Sequence, residues 1–204
     1  MPELRLRFEK RGKAAYLSHL DVLRTFQRAF IRAGISVKHS EGFNPHPKMS
    51  VAAPLQLGCE SVCEVLDAHI LTGPADLTAA LNPVLPEGLR VLSAAEPVLG
   101  VGKIAWADWT LSFRQDCGEA ESLLRAGKPL VVEKKTKRGM SELDLAPHVQ
   151  VLGREGDTLR LRIRAAEPTV NTGDIARVLA QNGLEPPAKC CRAALLDGEM
   201  KLFA

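Results

Sequence analysis

Aromatic side chains are scarce in this chain: Phe, Trp and Tyr make up 4% of its 204 residues, so any core is mainly aliphatic. Long apolar runs are missing too. None approaches the roughly 18 residues that a membrane-spanning helix needs. There is no strong excess of one charge: 27 Lys and Arg stand against 24 Asp and Glu, for a net charge of +3 and a pI near 8.6. That mild basicity permits nucleic-acid binding without demanding it, so local clustering matters more than the total. No Walker-type phosphate loop, GxGxxG, GxSxG, HExxH or kinase signature is present, which leaves no standard nucleotide, hydrolase or metalloprotease reading. Cysteine is odd in number, with five at Cys59, Cys63, Cys117, Cys190 and Cys191. The opening MPELRLRFEK is charged and alternating, unlike an apolar signal region. Reduced thiols in a cytoplasmic protein are the expectation.

What the chain does have is alternating and helical periodicity in a regular order. LRLRF at 4–8 alternates as a half-buried strand does. Residues 18–34 read as a helix, with Ser18 and Asp21 as a capping box and Gly34 as its stop. Leu20, Leu23, Phe26, Phe30 and Ala33 are expected on its apolar face. Strands are expected at 36–40, 49–57, 63–71 and 89–98, with a short helix at 76–81. This β-α-β-β-α-β order is that of a ferredoxin-like half. A glycine-containing linker at 100–105 follows. Strands at 109–114, 129–135, 158–166 and 190–198 and helices at 118–126 and 172–181 repeat the grammar. The expected fold is α+β, with two ferredoxin-like (split βαβ) halves in tandem at 1–99 and 106–204.

Three stretches carry candidate chemistry. Arg24, Arg28 and Arg32 are spaced four apart on one helix face, a row of guanidiniums that suits phosphates. SEGFNPHPKMS at 40–50 sets Gly42 beside Pro45 and Pro47, which fix φ at alternate positions. Such a loop is stiff, and it would hold Phe43, Asn44, His46 and Lys48 ready for a ligand. Phe43 either packs beneath the loop or stacks on a base. His46 and Lys48, two apart in an extended stretch, point to one side. Lys128, Lys134, Lys135, Lys137 and Arg138 form a basic segment able to track a phosphate backbone. A solvated surface is the plainer reading of each charge run. Cys59 and Cys63 are read as small buried hydrophobes, and neither a metal nor another cofactor is expected.

Residues YLSHLDVLRTFQRAFIRAG and HSEGFNPHPKMSVAAPLQLGCES resemble the N-terminal signature of the radical-SAM-linked family, also called the DUF2344 domain. KKTKRGMSELDLAP resembles a basic, then Glu–Leu–Asp-containing stretch of the same family. In that family the domain stands alone or is fused behind a radical SAM domain. The resemblance implies association with a radical SAM protein, acting on a cellular RNA or its protein machinery. This chain lacks the CxxxCxxC cluster motif, so it is not read as a radical SAM enzyme itself. The expected role is a non-catalytic RNA-binding or substrate-presenting accessory. The quoted loop and the arginine helix would form one surface, and the basic 128–138 segment another. Two alternatives stand beside it. One is a metal-independent endoribonuclease of the CRISPR repeat-processing type, using His19, His39 or His46. The other is a protein–protein adaptor.

Overall fold

Helix α1 (His19–Arg32) opens on a capping box. The Asp21 amide donates to Ser18 Oγ at 3.2 Å, and the Ser18 amide donates back to Asp21 Oδ2 at 3.4 Å. It closes at Gly34, whose φ of +69° a side chain would resist, with the Ile35 amide donating back to the Phe30 carbonyl. The buried face is Val22, Phe26, Ala29 and Phe30, with Leu23 and Ala33 partly buried against the same core. Leu20, expected there, is 58% exposed. It precedes Val22 by two residues, a little over half a helical turn, and so points away. The computed structural model describes residues 3–136 and 139–203; Lys137 and Arg138 lie outside them. The chain is a mixed α+β protein that divides into two compact units, at 1–102 and 103–203.

The first unit contains β1 (Glu3–Lys10), α1, β2 (Ser36–Val37), β3 (Met49–Val51), β4 (Glu60–Thr72), α2 (Leu77–Leu81) and β5 (Leu89–Ala95). Strand β1 lies between β5 and β4, and β2 and β3 pair with β4; every pairing is antiparallel. Leu6 and Phe8 of β1 stand opposite Leu66 and Glu64 of β4, and the face they share with Leu4 meets α1. Phe8 meets Phe26 edge-on at 4.8 Å between ring centroids, a favoured aromatic geometry. Strand β4 is longer than expected and is buried along most of its length on both faces. The strands expected at 36–40 and 49–57 shrink to two and three residues, because the chain between them leaves the β4 edge and pairs with itself.

Two buried cations brace this unit. Arg5 grips Asp67 with two hydrogen bonds of 2.8 Å across the β1–β4 pair. Lys10 Nζ donates to the carbonyls of Ala15 at 3.1 Å and Leu17 at 2.8 Å, which fixes the 3-10 turn Gly12–Tyr16 ahead of α1. Gly88 closes the same corner. A Cβ there would lie 2.3 Å from the Arg11 carbonyl, and its φ is +89°.

The second unit contains β6 (Trp106–Ser112), α3 (Gly118–Arg125), β7 (Val131–Thr136), β8 (Gly139–Asp144), β9 (Val149–Glu155), β10 (Thr158–Arg164), α4 (Thr172–Gln181) and β11 (Lys189–Leu196). Its sheet runs β11-β6-β10-β9, all antiparallel. The segment expected as a sheet strand at 129–135 is elsewhere: among the described residues β7 pairs only with β8, apart from the main sheet. The edge place beside β10 belongs to β9. A tight turn at Gly156, with φ +58°, joins β9 directly to β10. A local hairpin closes at less entropic cost than a return from residue 135. One face of the sheet buries Ala107, Trp109, Leu111, Leu159, Leu161 and Ile163. Helix α3 packs against β9 and α4 against β7.

Candidate nucleic-acid interface

Between β2 and β3 the chain forms an excursion, residues 38–48, with its own pairing. His39 and Pro47 form an antiparallel bridge. The Lys48 amide donates to the Lys38 carbonyl at 2.7 Å, and the Ser40 amide to the His46 carbonyl at 2.8 Å. The His46 amide donates to Ser40 Oγ at 2.9 Å. Lys38 therefore stands opposite Lys48, and Ser40 opposite His46. Opposite residues, and residues two apart on one strand, share a face. One face of the excursion thus carries Lys38, Ser40, His46 and Lys48. His39 lies on the other, with Nδ1 3.0 Å from the Val37 carbonyl. At the tip, Glu41, Gly42, Phe43, Asn44 and Pro45 are all exposed. Gly42 has φ +131°, which glycine adopts without strain. Phe43 is fully exposed, so of its two expected uses packing beneath the loop is not the one seen.

Two ammonium groups facing each other across a strand pair repel. Neither Lys38 nor Lys48 has a carboxylate partner among the described residues, and the His46 ring has no hydrogen-bond partner among them. An anion between the lysines would relieve the repulsion. Lys38 escaped the sequence reading, yet in KHSEGFNPHPK the two lysines lie at equal distance on either side of Phe43. Folding it at that centre puts lysine against lysine.

The arginine row lies on another flank of α1. Arg28 and Arg32, with Thr25, border a cleft of about 420 Å³ closed by Val84, Leu85 and Pro86. Arg32 also donates to the Val84 carbonyl at 3.3 Å. The base of the excursion, at His39 and Pro47, instead borders a cleft with Gln27 and Ile31. Gln27 and Ile31 sit on the opposite side of the arginine row from Thr25. Arg24 is exposed and reaches Asp21 at 3.5 Å. The structure does not gather loop and arginines into a single cleft.

The basic segment divides as well. Lys128 precedes β7 and is exposed. Lys134 turns onto α4, 2.7 Å from Asp174 Oδ2, and also reaches the Thr169 carbonyl. Asp174 is fully buried. It caps α4 through the Asn171 amide at 3.0 Å and takes Arg177 at 2.6 Å. Lys134 is thereby engaged in holding the hairpin to α4. Lys135 lies within β7. The hairpin base is fixed by Asp144, which accepts from the amides of Leu130 at 2.8 Å and Ala146 at 3.0 Å. Donation from Ala146 first, then Leu130, holds the Asp144 carboxyl below its ordinary pKa. Cys59 and Cys63 are buried, and the described residues contain no cluster of three His, Cys, Asp or Glu able to hold a metal.

A family model described as "Uncharacterized protein conserved in bacteria (DUF2344)" matches residues 3–177. The chain belongs to the DUF2344 family. No curated protein matches it. Among solved structures, a chain from "Crystal Structure of a Cbf5-Nop10-Gar1 Complex" is similar over 97% of this DUF2344 chain and 50% of its own, at 11% identity and a TM-score of 0.50. A chain from "Crystal structure of the archaeal box H/ACA sRNP Nop10-Cbf5 complex" is similar over 97% and 49%, at 12% identity and a TM-score of 0.46. The DUF2344 chain thus spans about half the length of the solved chains it matches. At such identity the first likeness is one of fold. Among the described residues, no helix is long and apolar enough to cross a membrane.

Proposed function

We propose that this DUF2344 protein binds RNA, or presents it, as a non-catalytic accessory to a radical SAM modification enzyme in the cytoplasm. The observation that carries the RNA half is the Lys38–Lys48 pair beneath an exposed Phe43. Two unpaired cations suit a phosphate, and an exposed ring on a pinned hairpin offers a stacking platform for a base. His46 and Asn44 supply hydrogen bonds to a base edge or a terminal group. Arg28 and Arg32 form a separate phosphate contact at the Val84–Pro86 cleft, with Arg24 one turn before them, and Lys128, Lys135, Lys137 and Arg138 a further one. Lys134 contributes by placing the hairpin. The radical SAM half rests on the sequence resemblance described above and on family membership. Both units are read as ferredoxin-like halves. In support, each places its first long strand between its last strand and the strand preceding its second helix, the split βαβ order.

Purification from native cells, with sequencing of bound RNA and mass spectrometry of co-purifying proteins, tests both halves. Recovery of RNA together with a radical SAM protein is expected. A preparation that carries neither and binds no added RNA refutes the reading. Cleavage of added RNA without metal, lost on His46→Ala, would replace it with the nuclease alternative.

A further inference from the structure

The core-facing residues of β10 alternate with Arg160, Arg162 and Arg164, which share the opposite face of the second unit's sheet with Thr158. Register places Asp108, Thr110 and Ser112 of β6 beside them, and Lys189 and Cys191 of β11 beyond those. On the other side stand Gln150, Gly153 and Glu155 of β9. The three arginines are not equivalent. Arg162 is held by Asp108 through two hydrogen bonds of 2.7 and 2.9 Å, so its charge is largely answered. Arg164 lies over the Trp106 ring at 5.3 Å, and its Nε has no acceptor among the described residues. Arg160 is exposed, with no carboxylate partner among the described residues. Its guanidinium crosses the bare backbone of Gly153, where a Cβ would come within 3.2 Å of NH2. Lys189 is likewise exposed.

We propose that this face binds the phosphodiester backbone of a single nucleic-acid strand. Arg160 and Lys189 would contact phosphates, and Arg162, one alternate position farther along β10 than Arg160, would act as a fixed scaffold beside it. The face is complementary in charge to a polyanion: four cations stand here against two carboxylates, Asp108 and Glu155, and Asp108 is already engaged by Arg162. Two strand spacings across the sheet and one alternate step along it separate Lys189 from Arg160, roughly 12 Å, the scale of two nucleotides of extended backbone. Trp106 is buried, so contact is with backbone and carries no base preference. The proposal rests on nucleic acid being the partner, as read above, but places contact on a surface that reading does not use.

The test uses the full chain with fluorescent oligouridylate and oligodeoxythymidylate of equal length, titrated at several salt concentrations. Arg160→Ala with Lys189→Ala should weaken binding several-fold and flatten the salt slope by about 1.4, for two single-strand phosphates. Arg160→Lys should retain the slope, and unchanged thermal midpoints exclude a folding defect. Binding of either oligonucleotide through Arg160 upholds the proposal, and the ratio between the two shows whether the ribose hydroxyl is sensed. Unchanged affinity and slope in the double variant overturn it. If Lys38→Ala with Lys48→Ala abolishes binding in the same assay, the excursion reading survives that failure. Polyglutamate competing as well as oligouridylate at equal charge would assign the face to an acidic protein and overturn the proposal. No binding by the unaltered chain overturns both readings.

Discussion

Lys38→Gln should make the protein more stable and a poorer binder. Lys38 and Lys48 stand opposite each other, joined by one backbone hydrogen bond from the Lys48 amide to the Lys38 carbonyl, and residues facing each other this way have Cα atoms about 5.5 Å apart. In water two unit charges at that distance repel by about 0.8 kcal/mol. The long stems splay and salt screens them, so the recoverable gain is about 0.3–0.5 kcal/mol. For a chain of this size that raises the thermal midpoint by roughly 1–2 °C. The backbone bonds of the excursion are untouched, since Lys38 makes them with its main chain: its carbonyl accepts from the Lys48 amide and its amide donates to the His69 carbonyl. Binding moves the other way. A charge-assisted contact is worth about 1.5–3 kcal/mol, so affinity for an RNA strand should fall at least tenfold. The salt slope should shrink by about 0.7. Calorimetry and fluorescence anisotropy on one preparation read both quantities. A variant that is less stable, or one that binds as tightly with the same slope, refutes the idea that the two lysines are held apart for an anion.

Phe43→Ala should leave stability within about 0.5 kcal/mol, since the ring touches solvent, while weakening RNA binding by about 1–3 kcal/mol; equal affinity would remove the stacking role. Asp67→Ala should cost about 3–5 kcal/mol in chemical denaturation by removing the carboxylate that buried Arg5 grips, and Arg5→Met with Asp67→Leu should recover part of it; a mild single variant would contradict this. Asp144 has a depressed folded pKa, so its contribution is present above its unfolded value, near 4, and disappears as pH falls through the folded one. The stability gap between wild type and Asp144→Asn should therefore narrow in acid; a gap that widens below about pH 4 would reverse the sign. Gly88→Ala should destabilise strongly, because the added carbon meets the Arg11 carbonyl, a backbone atom with no room to yield; a native melting curve would contradict that.

Helix α1 was legible because its signals are local. Ser18, Asp21 and Gly34 each act within a few residues of their own position. Leu20 misled because apolar character alone does not fix which side of a first turn faces the core. In the second half, PLVVEKK has the composition of a sheet strand, and its pairing with β8 is decided by a partner sequence rich in polar residues. VQVLGRE was missed because Gly153 and Arg154 interrupt a short apolar run, yet it takes the β10 edge through a local turn. Of the site, the sidedness of His46 and Lys48 was readable from their spacing in an extended stretch. The involvement of Lys38 was not, because it lies outside the proline-bounded stretch and enters only through register. The role of Lys134 was also hidden: a lysine in a charge run looks solvated until α4 brings the buried Asp174 to it.

The central claim is that the 38–48 excursion touches the RNA strand. Photocrosslinking of 4-thiouridine-substituted RNA to the full chain, followed by mass spectrometry of the attached peptides, tests it most directly. The account predicts attachment at or beside Phe43, reduced by Lys38→Ala with Lys48→Ala and by rising salt. A stable complex whose crosslinks all fall outside residues 38–48 would contradict it.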